Sequence, residues 1–243
     1  MAKNVVNTDK FRRDRASELR QLASILEDER VCLDVSPINS AMGSCYESRP
    51  NGECSWGYDI SKQIFRIENQ RHTIPDNLFD ISLELSICVK GRCHNDGDLS
   101  NTLSELAVDF VILGRDKLKR QYLNSWHLDK HLPGEENPQY AHPEFHFQHG
   151  GKFMQGEYGQ AIIFESPRIA HPPMDGILAV DFVISNFLGT AREVLKDNNE
   201  YQNLVRSAQA RLWQPYALTA ASHWERGINT GWTAPVVWPQ LVI

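Results

Sequence analysis

A chain of 243 residues is long enough for one large domain or two small ones with a sizeable core. Its 41% hydrophobic and 23% charged residues are globular values, which exclude a disordered or fibrous chain. A net charge of −6 argues against a surface devoted to nucleic acid or to an anionic membrane.

The opening stretch MAKNVVNTDKFRRDR lacks the apolar run of a signal peptide. No stretch reaches the ~18 apolar residues of a membrane span. The longest candidate, GILAVDFVISNFLG, is short and carries Asp181. The cysteines are Cys32, Cys45, Cys54, Cys88 and Cys93, an odd number without a CxxC pair. That is not a disulfide framework, and the step from Cys88 to Cys93 fits no standard zinc spacing. The expectation is a cytoplasmic protein in a reducing compartment, with the cysteines acting as small buried hydrophobes.

In chain order, the first element is a helix over residues 8–30. Thr8 or Asp9 is its expected cap, and Leu19, Leu22, Ala23 and Leu26 form one apolar stripe. The basic opening KFRRDR reads as a solvated face, because cations near a helix N-terminus gain nothing from its dipole. Residues 34–62 are rich in Ser, Gly, Pro and Asn and read as irregular, with Trp56 and Tyr58 anchoring them to the core. QIFRIEN, residues 63–69, is a short strand. FDISLELSICVKG, residues 79–91, alternates Ile81, Leu83, Leu85, Ile87 and Val89 on one face. ELAVDFVILG, residues 105–114, does the same with Leu106, Val108, Phe110 and Ile112. GQAIIFES, residues 159–166, is a further strand. Short connections without intervening helices imply an antiparallel meander.

The periodicity then changes. The segment following SPRIAHPP reads as a helix that is apolar nearly all round and therefore buried, with Gly189 as a kink or break. The next helix starts near Glu200 with the stripe Tyr201, Leu204, Val205, Ala208 and Leu212, and Pro215 kinks or ends it. The tail carries Trp224, Trp232 and Trp238 and is expected to pack on the body, on a protein partner or on a second copy. The whole reads as a single α+β domain over residues 1–243. It comprises an N-terminal helix, an irregular segment at 34–62 and a four- to five-strand antiparallel meander at about 63–166. Helices at about 174–226 pack on one face, and an extended apolar tail covers 227–243.

Five of nine histidines fall within residues 125–149. Taken as antiparallel strands, 122–131 and 142–149 put Trp126, Leu128, Phe145 and Phe147 on one face. The other face then carries His127, Asp129, His131, His142, Glu144 and His146. One register sets 131 opposite 142, 129 opposite 144 and 127 opposite 146; a two-residue slide changes partners but not faces. Opposed β-carbons lie about 4.5–5.5 Å apart, close enough for two imidazoles to share an ion. Neutral imidazoles with a carboxylate suit Zn²⁺, Fe²⁺ or Mn²⁺, and Asp129 or Glu144 beside a histidine can act in acid–base catalysis. The bland reading is the wet face of a sheet.

Lesser candidates are Arg168 and His171, placed to meet a carboxylate or phosphate, and Glu165 at a strand end. Asp181 and Ser185 form a polar pair one helical turn apart. His223 reads as a packed histidine. GRDKLKR, residues 114–120, is a basic hairpin turn without the aromatic platform that nucleic-acid binding uses. The order of helix, meander, proline-rich turn and helices resembles the ubiquitin-conjugating enzymes in topology alone. All five cysteines precede residue 94, so no residue is carried over to that family's nucleophile, and a thioester role is not expected. Two functions follow: a metal-binding enzyme of hydrolytic or oxidative type, or a non-catalytic binding and assembly module.

Overall fold

The computed structural model describes residues 5–67, 78–131, 141–150, 154, 168–224 and 234–238. Helix α1 (Thr8–Asp28) begins after Asn7, whose side chain accepts from the Lys10 N–H and is the cap in place of Thr8 or Asp9. The predicted stripe of Leu19, Leu22, Ala23 and Leu26 is buried. Arg12 is not part of a solvated face. It is fully buried, and its guanidinium donates to the carbonyls of Ser55 and Glu53, tying α1 to the chain entering the sheet.

The segment expected to be irregular contains α2 (Ser36–Glu47) and most of β1 (Ser55–Arg66). A proline in the first turn and the Asp34 carboxylate, which accepts from the Ser36 N–H, start α2. Ile38, Ala41 and Cys45 form its buried stripe. Trp56 and Tyr58 are buried in β1 as anticipated.

Strands β2 (Phe79–Arg92), β3 (Leu103–Arg115), β4 (Gln121–Lys130), β5 (Phe145–His149) and β6 (Ile169–Ala170) complete one antiparallel sheet. Its spatial order follows the chain from β1 to β6, so the described residues hold six strands of the meander against the four or five expected. The strand predicted at 159–166 lies outside the described residues.

Helices α3 (Gly176–Phe187), α4 (Gly189–Leu195), α5 (Asn199–Ala221) and α6 (Ala234–Val237) follow. The chain breaks between α3 and α4 at Leu188, beside the predicted Gly189. Pro215 does not end α5; the helix runs through it to Ala221. Residues 234–237 of the tail, expected to be extended, form a helical turn with Ala234 and Val237 buried. No helix among the described residues is long and apolar enough to cross a membrane.

One apolar cluster joins α1, α2, α3 and α5 to the sheet through Leu83, Leu85, Val108, Phe110, Leu128 and Phe145. Asp175 caps α3 by accepting from the Ile177 and Leu178 N–H groups. It also pairs with Arg211 at 2.7 Å, and Arg211 pairs with Glu18 at 3.2 Å. This buried chain of charges links α1, α3 and α5. The Tyr58 hydroxyl, accepting from the Gly176 N–H at 2.8 Å, fastens α3 to β1.

Candidate functional site

Parity along β4 and β5 separates two chemistries. Leu128 and Phe145 are fully buried on the helix-facing side, and Phe147 packs on Phe110, Trp126 and Phe182. His149 joins that side, edge-on to Trp126. The opposite face carries the histidines.

The register is the two-residue slide. Asp129 stands opposite His146, and His127 opposite Gln148. The His131 N–H donates to the Glu144 carbonyl at 2.7 Å, which extends the same register. The faces are as expected and the pairs are shifted. Ligand atoms of His127, Asp129 and His146 all lie within 4.8 Å of one another. His127 Nε2 is 3.5 Å from Asp129 Oδ2. Tetrahedral zinc at ~2.0–2.1 Å from nitrogen needs donor atoms roughly 3.3 Å apart. The His127–Asp129 pair, at 3.5 Å, is close to that spacing.

Two small residues flank the pair. Ala107 of β3 is opposite Asp129, and Ala170 of β6 is opposite His146. By alternation all four share a face, so the row reads Ala107, Asp129, His146, Ala170, with methyl groups at either end.

His131 and His142 do not belong to the three-residue group; they continue it. The His142 ring lies 4.5 Å from that of His146 and 4.3 Å from that of His131. The His127 ring is 6.3 Å from His146. Four imidazoles thus form a contiguous row.

Glu144 stands apart from the row. The Asn101 amide donates to its carboxylate, and Lys130 Nζ lies 3.4 Å from it. The Glu144 N–H donates to the Val236 carbonyl, so this position anchors the C-terminal turn.

The histidine face is unevenly covered: His127, Asp129, His131 and His142 are half-buried. His146 is 4% exposed. Burial, with help from His142, Arg168 and His127, brings its pKa down to about 3, although the Pro143 carbonyl pulls the other way. A neutral imidazole with a lone pair to donate is therefore its state at neutral pH. Water alone would favour the opposite arrangement, with His exposed and protonable.

Asp109 was missed from the sequence. It pairs directly with His127 across β3 and β4. The alternation that put Val108 and Phe110 inside also turns Asp109 outward, and the turn after Arg115 fixes its partner. That turn is built on Asp116, whose carboxylate accepts from the Leu118 and Arg120 N–H groups, Arg120 Nε and the Tyr122 hydroxyl. GRDKLKR is thus a structural hairpin turn.

Among the lesser candidates, His171 turns toward the aromatic core beside Phe147 and Phe182. Its Nδ1 lies 2.6 Å from the Pro172 carbonyl. Arg168 precedes β6. Glu165 lies outside the described residues. Asp181 and Ser185 line a cleft of about 260 Å³ with Arg192, Lys196 and Arg206 in the helical layer, away from the histidine row. Asp181 accepts from the Tyr201 hydroxyl at 2.9 Å, and burial raises its pKa. His223 packs edge-on to Trp224. All five cysteines are free; Cys32, Cys45 and Cys93 are buried, Cys88 is half-buried and Cys54 is exposed.

Two imidazoles and one carboxylate are the donor set of hydrolytic zinc sites and of non-haem iron centres. No protein-family model, curated protein or solved structure matches this chain.

Proposed function

We propose that His127, Asp129 and His146 bind one divalent transition-metal ion and that the centre catalyses hydrolysis. The observation that carries this reading is the approach of three ligand atoms to within 4.8 Å on a face where His146 is buried and neutral. Zn²⁺ is the expected ion, with Fe²⁺ or Mn²⁺ as the alternatives that the same donors accept. Such an ion, held by three protein ligands, supplies a Lewis acid and brings the pKa of water to about 7.

The chain's own groups have separable roles. His127 and His146 each donate a ring nitrogen. Asp129 contributes the negative charge that lowers the cost of holding a dication. Asp109, opposite His127, is positioned to orient that imidazole. His142 and His131 extend away from the centre and suit proton movement. In hydrolysis the water oxygen bonds to the electrophilic atom and the bond to the leaving group breaks. The proton lost by water passes to the imidazole row and returns to the leaving group. Oxidation, the other reaction open to this donor set, is favoured if the resident metal proves to be iron. The free cysteines support a reducing, cytoplasmic setting.

Elemental analysis of the purified full chain tests the reading. One equivalent of Zn, Fe or Mn is expected, and it is lost in the His127→Ala plus His146→Ala variant while the circular dichroism spectrum persists. Metal below a tenth of an equivalent after metal-replete purification overturns it.

A second reading, assembly with a partner, is favoured by Trp224 at 67% and Trp238 at 44% exposure near the C-terminal turn. A homo-oligomer through this surface is its simplest form, and light scattering of the full chain decides it.

A further inference from the structure

Cys54 departs from the expectation of small buried hydrophobes: it is exposed, whereas Cys93 is 1% exposed. The two meet at the end of the β1–β2 ladder. Ser55 stands opposite Arg92, and one step beyond that pair the Cys93 N–H donates to the Cys54 carbonyl at 2.8 Å. Opposed residues of antiparallel strands turn their side chains to one face, with β-carbons about 4.5–5.5 Å apart. A disulfide needs about 3.5–4.5 Å, so a small shift of the turn that carries Cys54 closes the gap.

The surroundings fix Cys54 in this place. The buried Arg12 guanidinium donates to the carbonyls of Glu53 and Ser55, one on either side of Cys54. The Ser55 hydroxyl donates to the Gly52 carbonyl and accepts from the Asn51 N–H, which braces the turn. Arg12, itself paired with Asp9 at 3.1 Å, and Arg49, 3.6 Å from Glu53, are the cations near Cys93. Burial pushes the Cys93 thiol up, and those two guanidiniums pull it down. One sulfur is open to reagents from solvent and the other is sheltered beside it. That is the division of labour between an attacking and a resolving thiol. Cys32 and Cys45 are buried, and Cys88, on the other face of the sheet, donates its thiol hydrogen to Glu105 at 3.2 Å.

We propose that Cys54 and Cys93 form a thiol–disulfide exchange site that takes a small-molecule disulfide as its oxidant. The Cys54 thiolate bonds to one sulfur of the reagent. The reagent's S–S bond breaks, and the half released takes up the proton that Cys54 lost. The Cys93 thiolate then bonds to the Cys54 sulfur and displaces the second half, which takes up the proton that Cys93 lost. A pair of electrons passes from the protein dithiol to the reagent, which leaves as thiols. The new Cys54–Cys93 bond clips β1 to β2, on the sheet face opposite the histidine row, so the site stands independently of the metal centre.

The test treats the reduced full chain with oxidised glutathione in the absence of denaturant. Remaining thiols are alkylated, and linked peptides are mapped by mass spectrometry. A Cys54–Cys93 link is expected in the wild type, and dithiothreitol should reverse it. Cys93→Ala is expected to stop at a glutathione adduct on Cys54, formed within about threefold of the wild-type rate of Cys54 modification. Cys54→Ser should leave Cys93 unmodified. A wild-type chain in which Cys54 does not react, keeps its adduct while Cys93 stays open to alkylation, or is bypassed by a Cys45–Cys93 link overturns the proposal. The wild-type map decides without any variant, so a folding defect in Cys93→Ala leaves the test intact.

Discussion

Asp129 and His146 are direct partners across β4 and β5, and each is flanked on its outer side by an alanine, Ala107 and Ala170 respectively. In the proposed centre this acid and the buried imidazole are two of the donors, and His127, whose ligand atom lies within 4.8 Å of both, is the third.

If that is the centre, its carboxylate dominates affinity. Asp129→Asn keeps the shape and removes the charge, so Zn²⁺ affinity should fall by at least about a hundredfold, beyond the usual effect of losing an outer-shell partner. Asp109→Asn should cost about tenfold, acting through His127. Competition titration against a chromophoric chelator measures both. Equal affinities across wild type and both variants would contradict the assignment.

The pH dependence of the metal-free protein follows from burial of His146. Its folded pKa, about 3, is below the ordinary histidine value of 6.5. Between those two values the unfolded chain binds a proton that the folded chain refuses, so stability falls as pH drops from 6.5 towards 3 and is fully present above 6.5. His94 and His171, also lowered by burial, contribute with the same sign. His146→Gln should make the fall shallower by up to one proton, about 1.4 kcal/mol per pH unit. Urea unfolding at pH 4, 5, 6 and 7 reads the slope.

Asp116 behaves oppositely. Burial pushes its carboxyl up, but the bonds from the Arg120 side chain and from the Arg120 and Leu118 N–H groups outweigh that and hold its pKa below the usual 3.8. Its contribution is present above 3.8 and is lost as pH falls through the lower folded value. Asp116→Asn should lower Tm by several degrees at pH 7 and converge with wild type in strong acid. A constant gap down to pH 2 would contradict this.

The Arg211 chain is a third test, of the scaffold. Arg211→Met leaves the buried Asp175 without its cation, while Glu18 keeps Arg15 at 2.6 Å, and removal of one partner from a buried pair costs about 3–5 kcal/mol. Denaturant unfolding should show it as a lower midpoint with an unchanged slope.

Much of this was readable in the sequence for a definite reason. Alternation with period two fixes faces without fixing partners, so His127, Asp129 and His146 could be grouped while their register was off by two residues. Glu144 contacts Asn101 and Lys130, partners that alternation along the strand does not reveal. Helix α2 was hidden by its Ser and Gly content; only Ile38, Ala41 and Cys45 carry its stripe. The start of β1 was hidden by an irregularity between Ile60 and Gln63, where Lys62 adopts φ +54°. Core-facing positions pass there from Tyr58 and Ile60 to Gln63 and Phe65, so no single alternation spans the strand. Pro215 stayed within α5 because tertiary burial of Leu212, Tyr216 and Thr219 outweighs the local cost of a proline.

Crystals of the full chain grown with Zn²⁺ and measured on both sides of the zinc absorption edge test the central claim most directly. The account predicts one strong anomalous peak about 2.0–2.2 Å from a nitrogen of His127, a nitrogen of His146 and a carboxylate oxygen of Asp129. A protein that takes up zinc only at other residues, with those three side chains left in place and unliganded, would contradict it.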